Sequence, residues 1–282
     1  MFGAAWLTMA FLLSLRLGAM LVVAPIISAS FVPTTIRIML IVALCAALAM
    51  GLEPDGLVDS IAAGPTSHWG LLIESAVAEV GLGVTLGLGI ALAFAAFSVA
   101  GHLLDVQIGF GIGQVFDPVA NTQSPLLTSA FNQLALIGFF LVDGHHALMR
   151  GLVYSLNRFP LGHPWALEDA WLPFVKQVAG LFSLGFALAA PVAFCLLLVD
   201  LALGVVARNL PQMNMLALGI PVKIVVGVVA LSLWYVGMGD VMGRTYGSIF
   251  RTWDEMFELS SVNAPAAVQF AASSADALLR GA

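Results

Sequence analysis

From Leu71 to Leu104 the chain runs without a lysine or arginine, and Glu74 and Glu79 are its only carboxylates. At 1.5 Å per residue this run makes a helix of about 50 Å, whereas a bilayer's hydrocarbon core is about 30 Å thick. A helix that is apolar all round must be covered on every side, by lipid or by other protein. That requirement excludes most soluble folds and makes an all-α membrane protein the expected class.

Composition extends the same demand to the rest of the chain. Of the 282 residues, 61% are hydrophobic and 9% charged, against about 25% charged in an ordinary soluble domain. So few charges leave too little polar surface to coat a soluble fold of this size. The ten basic and sixteen acidic residues give a net charge of −6, which excludes a basic nucleic-acid footprint. Cys45 and Cys195 both lie in apolar runs and read as buried thiols, not as a disulfide framework.

Apolar stretches occupy 6–28, 34–51, 71–104, 126–142, 172–207 and 215–240. About 20 apolar residues cross a bilayer. Segments 71–104 and 172–207 are too long for a simple span, and 34–51 is slightly short. Pro25 and Pro191 should kink or split their helices, because proline removes a backbone donor. Arg16 interrupts the first run and no basic residue precedes it, so residues 6–24 read as a mature helix and not a cleavable signal. The basic residues do not cluster in alternate connections, so the positive-inside rule yields no firm topology.

Residues 52–69 read as a polar loop. Residues 105–125 carry Gly109, Gly111, Gly113, Pro118 and Pro125 interleaved with Phe110, Ile112, Val115 and Phe116. Glycine and proline mark a loop, yet this one is apolar. It is either a re-entrant or cavity-lining element or a kinked helix end. Ser124 and Pro125 read as the N-cap and first residue of the next helix. Residues 241–260 alternate Arg244, Arg251, Asp254, Glu255 and Glu258 with Ile249, Phe250, Trp253, Met256 and Phe257, the pattern of an amphipathic C-terminal helix. Residues 1–260 form one helical domain on this reading, and 261–282 a mobile tail.

Arg16, Glu74, Glu79, Asp200 and Lys223 fall within or at the edges of apolar segments, where an ionised group is costly unless it meets a partner or water. They fix helix packing by pairing, or they relay protons. Glu74 and Glu79 point about 140° apart on a helix and do not share a site. Asp200, Gly204 and Arg208 follow an i, i+4, i+8 row, which places a charge pair near a close-packing position. Gly83 and Gly87 form a small-xxx-small pair that lets helices approach. His145 and His146 follow Asp143, but adjacent histidines diverge by about 100° on a helix and no H-E-x-x-H spacing exists. No metal, cofactor or catalytic site is assigned.

Phe116-Asp117-Pro118, Gln123-Ser124-Pro125, Phe131-Asn132 and Asp143-Gly144-His145 resemble, in order and spacing, the central signature of the FliR/SctT family of type III export-gate proteins. Pro211-Gln212-Met213-Asn214 with Gly219-Ile220-Pro221 adds a second matching stretch, and Arg16, Pro25, Pro33, Arg37 and Glu74 fit the opening pattern. The resemblance covers about residues 5–258. Two features depart from it: Asp200 stands where an uncharged polar residue is usual, and 109–114 is richer in glycine.

The resemblance implies long, kinked helices and helical hairpins packed into a hetero-oligomeric gate. The implied partners are FliP-like and FliQ-like subunits, an FlhB-like export component, membrane lipid and unfolded secreted substrates. The implied location is the bacterial inner membrane, in the flagellar basal body, with part of the chain on the periplasmic side. It implies a non-enzymatic role without cofactor, and a pore plug at Gly109, Phe110, Gly111, Ile112, Gly113, Gln114, Val115 and Phe116. Arg16, Glu74, Glu79, Asp200, Arg208, Lys223, Gly83 and Gly87 remain the buried-charge and packing candidates. A virulence injectisome subunit, a proton-coupled small-solute transporter using Glu74, Glu79 and Asp200, and a metalloenzyme using His145 and His146 are the competing readings.

Overall fold

A computed structural model describes residues 3–28, 33–51, 69–110, 125–162, 171–210 and 215–263. Among these, every regular element is an α-helix: α1 Ala4–Val23, α2 Pro25–Ser28, α3 Thr34–Ala49, α4 Trp69–Ile108, α5 Leu126–Leu141, α6 Gly144–Arg158, α7 Trp171–Asn209, α8 Met215–Tyr235 and α9 Gly239–Asn263. Four of them contain a stretch long and apolar enough to cross a membrane: Ala5–Val23, Trp69–Ile108, Trp171–Asn209 and Ala217–Tyr235. Only 11% of the α8 stretch and 22% of the α7 stretch is buried within the chain, so lipid or another protein must cover most of both.

The chain forms two compact units. The first comprises Met1–Ala91, His145–Gln177 and Ile249–Ala282. The second comprises Leu92–Gly144 and Val178–Ser248. Helices α4, α7 and α9 contribute to both.

In the first unit α1 lies along α4 on a stripe of small residues. A Cβ on Gly87 would stand 2.7 Å from the Met20 carbonyl oxygen and 2.8 Å from the Val23 Cβ. A Cβ on Gly83 would press on the Arg16 carbonyl and on Ala19. Trp253 of α9 is 1% exposed. Its indole N–H donates to the Leu86 carbonyl at 3.3 Å, and its ring lies against Gly89 and Gly151. Phe257 packs against Tyr154 and Phe159 with centroids 5.6 and 5.7 Å away. Burying these aromatic rings supplies much of the unit's apolar core.

The second unit is centred on Phe94, Phe97, Phe139 and Tyr246, whose rings meet at 5.7–6.5 Å. The Tyr246 hydroxyl donates to the Ala135 carbonyl at 2.7 Å, which satisfies the one polar group of the cluster. Gly185 and Gly227 make close approaches to Val99 and Ile108.

Several expectations from the sequence are corrected. Helix α4 continues through Asp105 to Ile108, so the 105–125 segment does not begin as a loop. Leu104, Asp105 and Ile108 are all buried, and that buried face carries the helix one further turn. Gly109, at φ 97°, then ends it, as a glycine in the left-handed region commonly does. Pro191 does not split α7, which runs unbroken around it. Neighbouring helices hold a proline-containing apolar helix together, and here Trp234 of α8 donates to the Leu188 carbonyl at 2.8 Å, one residue beyond the Ala187 carbonyl that the proline leaves without its helical donor. Helix α5 starts at Leu126 with Pro125 as its N-cap, one residue later than Ser124 and Pro125 imply. Helix α6 was not anticipated, because its apolar positions are spaced and do not form a run. Leu148, Leu152, Ser155 and Leu156 are its buried face.

Candidate functional site

Arg16 and Glu79 are brought together in the first unit, each with a side chain 1% exposed. Arg16 Nε donates to Glu79 Oε2 at 2.6 Å and Nη2 to Oε1 at 3.0 Å. Parallel N–H to oxygen bonds of this kind are the strong, geometrically specific form of the pair. Nη2 also donates to the Phe159 carbonyl at 2.9 Å, and Nη1 to Ser155 Oγ at 3.4 Å. The Gly162 amide completes Glu79 at 3.0 Å, and the Ser75 hydroxyl holds the Gly162 carbonyl at 3.2 Å. Gly162 has φ 83°, which a residue with a Cβ rarely adopts. One guanidinium therefore ties α1, α4 and α6 together. Both carboxylate oxygens of Glu79 are thereby engaged.

Glu74 is exposed and lies five residues before Glu79 on α4. Asp200 pairs with Lys223 of α8 at 2.6 Å, not with Arg208, which is exposed near the end of α7. The i, i+4, i+8 row exists on α7, but the cation within reach of Asp200 comes from the neighbouring helix. Gly204 has nothing within 4 Å among the described residues. The pair lines a pocket of about 320 Å³ with Gly109, Leu203, Gly219 and Ile220. Of the plug candidates, Gly109 and Phe110 follow the end of α4. Gly111, Ile112, Gly113, Gln114, Val115 and Phe116 lie outside the described residues, as do Pro211–Asn214.

The rings of His145 and His146 lie 4.2 Å apart and are tilted by 36°, closer than the expected divergence of adjacent helical side chains. They sit in the first turn of α6, where side-chain direction is less constrained than in mid-helix.

Asp105 was not singled out from the sequence. It is 2% exposed and accepts hydrogen bonds from the Leu127 amide at 2.9 Å, the Thr128 amide at 2.9 Å and the Thr128 hydroxyl at 2.8 Å. Its signal was a carboxylate one turn after Gly101 at the end of a long apolar run.

Asp254 is exposed on the polar side of α9, and the partial desolvation it does meet pushes its carboxyl above the ordinary range, with Glu258 adding to the shift. A carboxyl with a raised folded-state pKa binds its proton more tightly folded than unfolded. Its contribution to stability is therefore present below about pH 4 and is lost as pH rises through the folded value. Asp254→Asn is expected to raise the thermal midpoint at pH 7 and to have no effect well below pH 4; thermal unfolding of both chains across pH checks this.

A family model described as bacterial export proteins, family 1, matches residues 7–249. The chain belongs to this family. The export-family chain is 36% identical over 185 residues to the flagellar biosynthetic protein FliR of Bacillus subtilis, covering 63% of this chain and 70% of that protein. It is 30% identical over 224 residues to the flagellar biosynthetic protein FliR of Escherichia coli, covering 79% and 83%. The secretion system apparatus protein SsaT of Salmonella typhimurium is similar at 27% over 154 residues, 54% of this chain and 60% of that protein. With its long apolar helices, this is a membrane-embedded bacterial export protein.

Proposed function

We propose that this chain is a non-enzymatic subunit of a type III protein export gate in the bacterial inner membrane, required for flagellar assembly. The observation that carries the reading is the family match across residues 7–249, joined to the flagellar names of the two relatives described first. In the gate the chain packs with FliP-like and FliQ-like subunits and an FlhB-like component, and unfolded substrates pass beside it. The sparsely buried α7 and α8 fit helices completed by other subunits. Part of the chain then stands on the periplasmic side, and not every apolar helix faces lipid.

Residues Gly109 to Phe116 contribute to the plug. A conduit for unfolded chains must be closed to ions when idle, and apolar side chains such as Phe110, Ile112 and Phe116 close a pore by excluding water. The pairing of Glu79 with Arg16 and of Asp200 with Lys223 favours packing roles over proton relay for these carboxylates. The likeness to SsaT favours an injectisome as the second reading.

Deleting the gene should abolish secretion of flagellar subunits and leave cells without filaments. Normal filaments with lost effector secretion would transfer the chain to an injectisome. Copurification after mild detergent extraction should recover FliP-like and FliQ-like chains. Replacing Phe110 and Phe116 by Ala should raise ion permeability at least severalfold while the complex still assembles; unchanged permeability would remove the plug from the proposal.

A further inference from the structure

Leu127 and Thr128 are the second and third residues of α5. Backbone amides at these positions have no carbonyl within their own helix to bond to. Both are instead taken up by the two carboxylate oxygens of Asp105, on the last turn of α4. The carboxylate also sits at the positive end of the α5 dipole, which favours its charge. The approach is close because Gly101, one turn earlier on α4, has no side chain. A Cβ there would stand 2.5 Å from the Thr128 Cα and 2.9 Å from its nitrogen. A turn further back, the Ser98 hydroxyl donates to Asn132 Oδ1 at 2.7 Å. Ser98, Gly101 and Asp105 thus form one face of α4 fitted to the start of α5.

We infer that Asp105 is a positioning residue that, with Gly101, holds the start of α5 on α4 while substrate passes. The static part of this inference stands on the geometry alone; the clause about passage rests on the export reading. The two are tested separately.

The static part is read by hydrogen exchange at residue resolution on the full chain in its native complex. Ser129 donates to the carbonyl of Pro125, the N-cap of α5, at 3.0 Å, and serves as the internal reference. Asp105→Asn and Asp105→Ala should speed exchange at Leu127 and Thr128 at least tenfold relative to Ser129. Exchange at Leu127 and Thr128 left unchanged in Asp105→Ala would overturn the clamp.

The passage clause is read with Ser98→Cys and Asn132→Cys in a chain whose Cys45 and Cys195 are replaced by Ala. This variant keeps Asp105, so its outcome does not depend on the substitutions of the first test. Joined by a disulfide or a short thiol cross-linker, the pair should export at the level of its reduced form. Export that stops on cross-linking and returns on reduction would show that α4 and α5 must separate, and the clause would fall. If cells lacking the chain export normally, the export reading fails, while the exchange measurement still decides whether Asp105 holds α5.

Discussion

Glu79→Ala is expected to leave almost no folded chain in the membrane. Its side chain and that of Arg16 are each 1% exposed, so removing the carboxylate strands a guanidinium in a buried site. Removing one partner of a buried pair costs about 3–5 kcal/mol, because the remaining charge is uncompensated. A typical domain has only about 5–15 kcal/mol to lose. The Gly162 amide loses its acceptor as well, although its carbonyl keeps the Ser75 hydroxyl. Arg16→Ala should be similarly damaging, since it also frees the Phe159 carbonyl and Ser155. The double replacement Arg16→Leu with Glu79→Leu should recover much of the loss, because an apolar pair of similar volume often substitutes for a buried ion pair with little net cost. Chain abundance in membranes and resistance to protease check all three. If Glu79→Ala accumulates and exports normally, the network is not holding α1 and α6 on α4.

The sequence made the class of the protein and the positions of most helices legible because both follow from local chemistry. A run such as 71–104 can only be a covered helix, and the Pro25 break between α1 and α2 follows from one missing donor. Gly83, Gly87, Arg16 and Glu79 each stood out singly, the glycines by spacing and the charges by their cost in an apolar run. Their meeting was not legible, because it depends on how α1 lies on α4. Asp200 shows the same limit. Its local row pointed to Arg208, while the tertiary fold supplies Lys223 from α8 at 2.6 Å. Asp105 was hidden for a different reason. Glycines and prolines downstream made 105–125 look like one loop, so a helix-ending carboxylate was absorbed into it. Helix α6 was missed because spaced leucines leave a weak trace beside runs of twenty apolar residues.

The glycines and the ion pair should also prove to be one device. Glu79, Gly83 and Gly87 are spaced four apart, so they lie in one row on α4, and that row meets Arg16, Ala19, Met20 and Val23 on α1. A Cβ on Gly83 presses on the backbone of Arg16 itself. Gly83→Ala must therefore push α1 away at the residue whose side chain has to reach Glu79. Overpacking of this kind costs about 1–3 kcal/mol. Gly81→Ala is the control: nothing lies within 4 Å among the described residues, and alanine's helix propensity should stabilise it by about 0.5–1 kcal/mol. The sharper test is a double-mutant cycle. If the close approach serves the pair, Gly83→Ala should cost less in the Arg16→Leu, Glu79→Leu background, with a coupling of about 0.5–3 kcal/mol. Unfolding midpoints of the four chains in detergent measure it. Additive losses would mean that the glycines pack α1 on their own account, and that the ion pair tolerates the helices being moved apart.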